Sequence, residues 1–401
     1  MRILCIHQNY PGQFRDITPQ LLKRGHDVRA ICGHKKPVEH NIEIRRYEIN
    51  KNKSEGEDKL LKEIQEWLSR SKQVAHEAEI IKKEGWAPDV ILVHPGWGES
   101  LLIKKVFPSS QILVWPELWL KSDQIGCPQE DMTIEQWQYL KMKNSLTELA
   151  ISEASRIILP TQYQANSFPE KYKSKISIIH EGVSDNLLNL DRIKELHIGE
   201  DISLKSEIPV VTFISRNLEP MRGFHVMMRS LPALQERNKE VHVVIVGGDD
   251  VSYSSQSGDG NSWKNVMLSE LEGKLDMKRI HFISRLEHQD LKKLYLRSDL
   301  HLYLSGEFVL SWSVTEIMAC GTPILGLNNA MLRDVVVPGV TGALYYGSEE
   351  GLGHATADLL KNKQQLRIWG DNCREFISKN MLLSSNIERL TALFKPYSSY
   401  F

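Results

Sequence analysis

Short apolar runs recur along the chain, and between them apolar residues return every three or four positions. "VVTFIS" (210–215) and "HVVIVGG" (242–248) are apolar without alternation, the pattern of strands buried on both faces. Such runs predict strands over 2–7, 27–32, 89–94, 111–115, 156–161 and 175–180 in the first half. The second half repeats the theme at 210–215, 241–246, 279–284, 300–305 and 323–327. In the intervening stretches Phe224, Met227, Met228, Leu231 and Leu234 fall on one helical face, with the charges opposite. Strand and helix in alternation imply a parallel sheet covered by helices on both sides.

The alternation weakens once, across the polar stretch 186–209, which ends in Pro209. This divides the chain into an N-terminal Rossmann-like domain (1–190), a linker (191–209) and a C-terminal Rossmann-like domain (210–380). Two doubly wound α/β domains then face each other across a cleft, and a last helical segment (381–401) packs back on the first domain. A long stripe through 55–84, including Leu60, Ile64, Trp67, Val74, Ala78 and Ile81, is read as a cap on the first domain, a dimer contact or a membrane contact.

Composition narrows the classes. A length of 401 residues exceeds what one hydrophobic core usually organises, consistent with two domains. Fifty basic and fifty-one acidic residues leave a net charge of −1, so nucleic acid is not an expected partner. Lys35-Lys36, Lys82-Lys83 and Lys104-Lys105 are local basic pairs, suited to solvated helix ends or to peripheral contact with an anionic membrane. Cys5, Cys32, Cys127, Cys320 and Cys373 are scattered without a Cys-x-x-Cys spacing, which points to reduced thiols rather than disulfides or zinc. The N-terminus lacks the pattern of a secretion signal, and no apolar window reaches membrane-spanning length, so a soluble cytoplasmic protein is expected.

In open parallel sheets ligands bind beyond the carboxyl ends of the strands, so the chemistry is sought in the loops there. "HQNYPGQF" places Gly12 before a helix, where bare amides can receive a phosphate or simply make a tight turn. No G-x-G-x-x-G follows, and the second strand ends without a ribose-binding acid, which argues against a dinucleotide enzyme. "HPGWGES" ends a strand at His94, beside Gly96 and Gly98; the ring either reaches a ligand or is satisfied by backbone. Glu117 follows the next strand and either lines the same cleft or caps a helix.

In "ISRNLEPMRG" the guanidiniums of Arg216 and Arg222 share one short loop before a helix, an arrangement suited to a diphosphate or to surface ion pairs. The loop 247–263 is long and carries Asp249, Asp250 and Asp259, but not the spacing of a hard-cation loop, so no metal is expected. In "GEFVLSWSVTEIMACGTP" (306–323) a helix is predicted to begin near Ser311 or Ser313, with Glu316 in about its first turn. Glu316 either accepts bonds from a vicinal diol such as a ribose or complements the helix dipole, and the amides of Leu310, Ser311 and Trp312 can receive phosphate oxygens.

Taken in order, "MRILCIHQNYPGQF", "HPGWGES", "HEGV" (180–183), "ISRNLEPMRG", "VGGDDVSY" and "FVLSWSVTEIMACGTP…VPGVTGAL" resemble the retaining, nucleotide-sugar-dependent glycosyltransferases of the GT-B fold, family GT4. The resemblance covers nearly the whole chain. It implies a donor, UDP- or GDP-linked, held mainly by the second domain, with no further cofactor. Arg216 and Arg222 would bind the diphosphate, although Lys is usual at the second position. Glu316 would hold the ribose, Gly12 and its loop would close over the phosphates, and His94 would approach the transferred sugar or the acceptor. The family pattern of two glutamates separated by seven residues is broken. Phe308 stands at the first position and Glu307 one place early, so either Glu307 substitutes or backbone around 308–310 does.

The activity implied is transfer of a hexose to an acceptor hydroxyl with retention of configuration, without a metal, assisted by domain closure. The acceptor is open among a glycan, a lipid, a small metabolite and a protein. Two alternatives share the architecture: a sugar-nucleotide epimerase or phosphorylase, and a non-catalytic two-lobed binding protein.

Overall fold

The computed structural model describes residues 1–34, 40–49, 59–125, 129–199, 202–258 and 260–394. Lys35-Lys36, Cys127, Asp259, the beginning of the 55–84 stretch and the last residues of 381–401 lie outside the described residues. Two compact units emerge, one formed by 1–182 with 383–401 and the other by 183–382.

The first unit carries strands β1 (Arg2–Ile6), β2 (Asp27–Cys32), β3 (Glu43–Arg46), β4 (Val90–Val93), β5 (Gln111–Val114), β6 (Arg156–Leu159) and β7 (Ile176–Ile178). They form one sheet in the order β3-β2-β1-β4-β5-β6-β7, and each neighbouring pair is parallel. The inner strands "RILCI" and "VILV" are buried almost throughout because helices cover both faces. One face packs Leu4, Ile6, Ile91 and Val93 against Val74, Ala78 and Ile81 of the helix Lys59–Lys83, so half of the long stripe is core. Leu61 and Leu68 on the same helix remain exposed.

The other face packs Ile3, Cys5, Val90 and Leu92 against Leu383, Ile387, Leu390 and Phe394. The helix Leu383–Thr391 is thus part of the first unit's core, and Arg389 donates to the carbonyl of Ile178 at 2.6 Å. Its apolar residues recur at helical spacing, which makes this docking legible as a stripe.

The stretch expected to be a linker is structured. Within 191–209, β8 (Leu196–Ile198) and β9 (Ile202–Leu204) pair antiparallel, and Leu196, Ile198, Ile202 and Leu204 pack against Val210, Val244, Val246 and Leu294. The hairpin alternates buried and exposed positions within runs of three residues, too short to stand out among the charges. The contact boundary falls at Gly182 instead.

The second unit continues with β10 (Val210–Asn217), β11 (His242–Gly248), β12 (Ile280–Ile283), β13 (Leu300–Tyr303), β14 (Ile324–Leu327) and β15 (Gly342–Tyr345). They form a parallel sheet in the order β12-β11-β10-β13-β14-β15. The sequence pattern missed β3 and β15. Both are four-residue edge strands, "EIRR" and "GALY", with at most one buried residue, so neither forms an apolar run.

Leu390→Ala tests the docking of the C-terminal helix. The side chain is 1% exposed inside the first unit's core, so its truncation should lower unfolding free energy by about 2–4 kcal/mol in urea titration. A change below about 0.5 kcal/mol would place the helix outside that core.

Candidate functional site

In the second unit the carboxyl ends of β10, β11 and β13 carry the loops that the sequence singled out. β10 contains a bulge: Ile214 pairs with Val246 but Asn217 with Gly248, so β10 carries an extra residue. A bulge bends its strand and re-aims side chains, and Arg216 emerges here exposed to solvent. The turn that follows ends at Gly223, which has φ +75°; a Cβ there would sit 2.1 Å from the carbonyl oxygen of Leu304. Only glycine lets the helix Phe224–Arg237 start so close to the end of β13.

Glu219 holds this turn to the neighbouring loop. The residue is 1% exposed, and its Oε2 accepts the N–H groups of Ser252, Tyr253 and Ser254, each at 2.9 Å. Met221 adds two backbone ties: its N–H donates to Ser254 Oγ at 2.9 Å, and its carbonyl accepts from Gly306 N–H at 2.9 Å. Arg216 and Arg222 therefore flank a carboxylate that is committed to amides, and neither forms an ion pair with any described residue. Arg222 lies 4.8 Å from the centre of the Tyr253 ring, and the ring of Phe308 lies 5.1 Å from the same ring. The position at which the resembling family carries a carboxylate thus holds a ring that meets Tyr253 at a tilt of 54°.

Glu307 faces another way. Its Oε1 accepts the N–H of Ala330 at 2.7 Å, and Asn329 Nδ2 donates to the carbonyl of Ser305 at 3.0 Å. Glu307 therefore fastens the loop after β13 to the loop after β14.

The helix runs Trp312–Ala319, which puts Glu316 in its second turn rather than its first. The buried Tyr295 hydroxyl donates to Glu316 Oε2 at 3.2 Å and holds the carboxylate in place. Among the three amides expected to be open, that of Ser311 donates to Tyr303 Oη at 3.1 Å, a partner that local sequence could not indicate. Leu310 stands one residue before this engaged amide, in the partly buried loop that leads into the helix. Asp249 and Asp250 are exposed, and among the described residues no three His, Cys, Asp or Glu side chains gather to hold a metal.

In the first unit, three strand ends repeat one device. His7 follows β1, His94 follows β4 and His180 follows β7 by two residues. In each the ring Nδ1 accepts the backbone N–H two residues on, from Asn9 at 2.9 Å, Gly96 at 3.1 Å and Gly182 at 3.0 Å. An accepting Nδ1 places the proton of a neutral imidazole on Nε2. Burial keeps all three neutral: it pushes His7 and His180 down to about 4 and holds His94 well below its ordinary value. The recurring sequence signal is His-x-Asn or His-x-Gly at a strand's end, and His7 and His180 were not read as site residues from it.

His94 is 2% exposed and stacks on Trp97 with ring centres 4.4 Å apart, while His7 lies 5.0 Å from His94. His94 Nε2 is 3.9 Å from Glu117 Oε1. Beneath them Glu99 is fully buried, and burial pushes its carboxyl up to about 7 although Arg70 and nearby amides pull it down. Gly12 packs beneath the His7 ring, where a Cβ would come within 2.6 Å, and its φ of +45° turns the chain into the following 3-10 turn.

No described helix is long and apolar enough to cross a membrane. Cys5, Cys32, Cys320 and Cys373 are buried free thiols, and burial pushes Cys5 up to about 12.

Comparison with known proteins adds to this geometry. Residues 24–188 match the family model of the glycosyl transferase family 4 group, and residues 200–376 match that of the glycosyl transferases group 1. D-inositol 3-phosphate glycosyltransferase of Mycobacterium sp. (strain KMS) is 26% identical over 217 residues, 53% of this chain and 46% of that protein. The matched stretch thus spans about half the length of that curated relative. Sucrose-phosphate synthase from Thermosynechococcus elongatus superposes with a TM-score of 0.72 at 15% identity, over 98% of each chain. Anabaena HepE, solved with UDP, gives a TM-score of 0.68 at 16% identity, over 98% of this chain and 99% of that one. Its complex with UDP-glucose gives 0.66 at 15%, over 98% of each chain.

The buried state of His94 has a pH signature. Its folded pKa lies below that of the unfolded imidazole, near 6.5, so the unfolded chain binds more protons as pH falls, and stability present above about pH 6.5 is lost toward acid. In His94→Gln this contribution disappears. The loss of unfolding free energy between about pH 7 and pH 5 should therefore shrink by about 2 kcal/mol in chemical denaturation of both proteins. An equal loss in the two proteins would mean that His94 is protonated in the folded state.

Proposed function

The chain belongs to the group 1 glycosyltransferases of the GT-B fold, and from that premise we propose that its second unit binds a nucleoside diphosphate sugar whose sugar is transferred to an acceptor hydroxyl. The observation that carries this reading is the pair Arg216 and Arg222, two guanidiniums without carboxylate partners at one strand end, flanking a glutamate already committed to three amides. A diphosphate supplies the missing counter-charge, and charge-assisted bidentate bonds are the strongest contacts that arginine makes. Glu316, oriented by Tyr295, is assigned to the ribose hydroxyls. The complexes of Anabaena HepE with UDP and UDP-glucose support a uridine nucleotide as the first donor to test.

In this reaction the acceptor oxygen forms a bond to the anomeric carbon while the bond from that carbon to the diphosphate oxygen breaks, and the electron pair leaves with the diphosphate. The acceptor proton passes to the departing phosphate. Retention requires attack on the face from which the diphosphate departs. Arg216 and Arg222 stabilise the charge that grows on the leaving group, a role that fixed cations fill without reorganisation and without the help of a metal. Glu307 positions: bonded to Ala330, it sets the loop that runs into the Glu316 helix. The neutral histidines of the first unit offer Nε2–H donors matched to sugar hydroxyls, which carry no charge for an imidazolium to meet.

Turnover of labelled UDP-glucose, with the product identified by mass spectrometry, tests the reading. Arg216→Ala and Arg222→Ala should each lower kcat/KM by about 2–3 kcal/mol, roughly 30- to 150-fold. Glu219→Gln should raise KM through the loosened 252–254 loop. Unchanged kcat/KM in both arginine variants would refute the diphosphate assignment, and epimerised or phosphorolysed sugar would replace transfer by another reaction.

A further inference from the structure

The turn Pro95–Gly98 in the first unit, closed by Gly98 N–H on the carbonyl of Pro95 at 3.2 Å, holds the imidazole of His94 on two sides. At the ring's edge Gly96 N–H reaches Nδ1, and on its face Trp97 stacks at an interplanar angle of 27°. No side chain fits at Gly96, where a Cβ would lie 2.4 Å from His94 Cε1. The proton of the neutral ring stands on Nε2, which hydrogen-bonds to no described residue; Glu117 Oε1, at 3.9 Å, is out of reach. His94 is thus a buried ring with one nitrogen fixed by the turn and one donor left for a ligand.

Two buried side chains hold the turn in place. Arg70, on the helix Lys59–Lys83, donates from Nη1 to the carbonyl of Trp97 at 2.6 Å, and Glu99 Oε2 accepts the N–H of Trp97 at 3.1 Å. Gly98, with φ +96°, lets the turn lie directly on that helix, since a Cβ there would stand 2.7 Å from the carbonyl oxygen of Trp67. Arg70 is 4% exposed and Glu99 0%. Their bonding is incomplete: Arg70 Nε, Glu99 Oε1 and the hydroxyl of neighbouring Tyr47 have no hydrogen-bond partner among the described residues. Ionisable groups buried with atoms unpaired weaken a fold rather than strengthen it, which points to the geometry they enforce as their contribution.

We propose that Glu99 and Arg70 are positioning residues for His94: by fixing the amide and the carbonyl of Trp97 they set the plane and tautomer of the imidazole, and so aim its Nε2–H at a hydroxyl of the sugar or of its acceptor. The assignment rests on the transferase reading of the chain. Neither side chain needs to touch the ring, because the turn supplies an edge contact and a face contact at once. Released from Arg70 and Glu99, Trp97 turns away, and His94 loses its stack and its bond from Gly96 together. The ring then rotates and takes either tautomer. A donor misplaced by about 1 Å can lower a rate by about a hundredfold.

Turnover of UDP-glucose and NMR of isotope-labelled histidine rings are to be measured on the wild type, Glu99→Ala, Glu99→Gln, Arg70→Met, His94→Gln and the double variant Glu99→Ala/His94→Gln. Glu99→Ala should lower kcat by about tenfold or more and leave KM for UDP-glucose within about twofold, because the donor is held by Arg216 and Arg222. Glu99→Gln should stay near the wild type, since its oxygen keeps the Trp97 amide and its NH2 replaces the unpaired Oε1. The double variant should be no slower than His94→Gln, whereas a general loss of stability would add to it. The wild-type His94 ring should show one tautomer, with the proton on Nε2, and the ring in Glu99→Ala and Arg70→Met should average over both. Circular dichroism checks folding, and Arg70→Met carries the ring test where Glu99→Ala does not fold. An unchanged ring signal in either folded variant, additive kcat losses in the double variant, or a Glu99→Gln as slow as Glu99→Ala overturns the proposal. No turnover by the wild type would overturn the transferase reading alone, and the ring signal then decides the positioning by itself.

Discussion

The three bonds from Glu219 to the amides of Ser252, Tyr253 and Ser254 are the constraint on which the second unit's site depends. A carboxylate with 1% exposure is costly unless its charge is met, and here backbone dipoles meet it on one oxygen. Because amides rather than guanidiniums take that charge, Arg216 and Arg222 keep theirs available. The same bonds bring Tyr253 under Arg222 and against Phe308, joining the loops after β10, β11 and β13 into one rigid rim.

The first unit reaches rigidity by a different route. A histidine at three strand ends folds back on the amide two residues later, and burial strips each ring of its charge. The outcome is a set of uncharged donors with one tautomer each. A charged ring would bind anions more strongly, but it would pay desolvation on entering this core. Trp97, stacked on His94, keeps that ring from rotating away.

The alternation of apolar runs with helical periods was enough to place two parallel sheets, since strands buried on both faces must be apolar throughout. It located Arg216 at a strand end, and Arg222 and Glu316 in the segments that follow strands, for the same reason, and a series of six short motifs carried the resemblance to the family. The edge strands β3 and β15 were illegible because an edge strand need bury little. The hairpin within 191–209 was illegible because two runs of three residues give too few periods to read.

By itself, then, the sequence determined the architecture and the strand ends near which its candidate residues lie, because burial writes a periodic code along the chain. Only the tertiary structure decided what each polar group there is bonded to. Glu219 passed unnoticed in a loop until three amides from residues more than thirty positions away converged on it. Glu307 turned to Ala330, and the amide of Ser311 went to Tyr303. Hydrogen bonds between distant loops depend on backbone direction and distance in space, and no local pattern of residues encodes either.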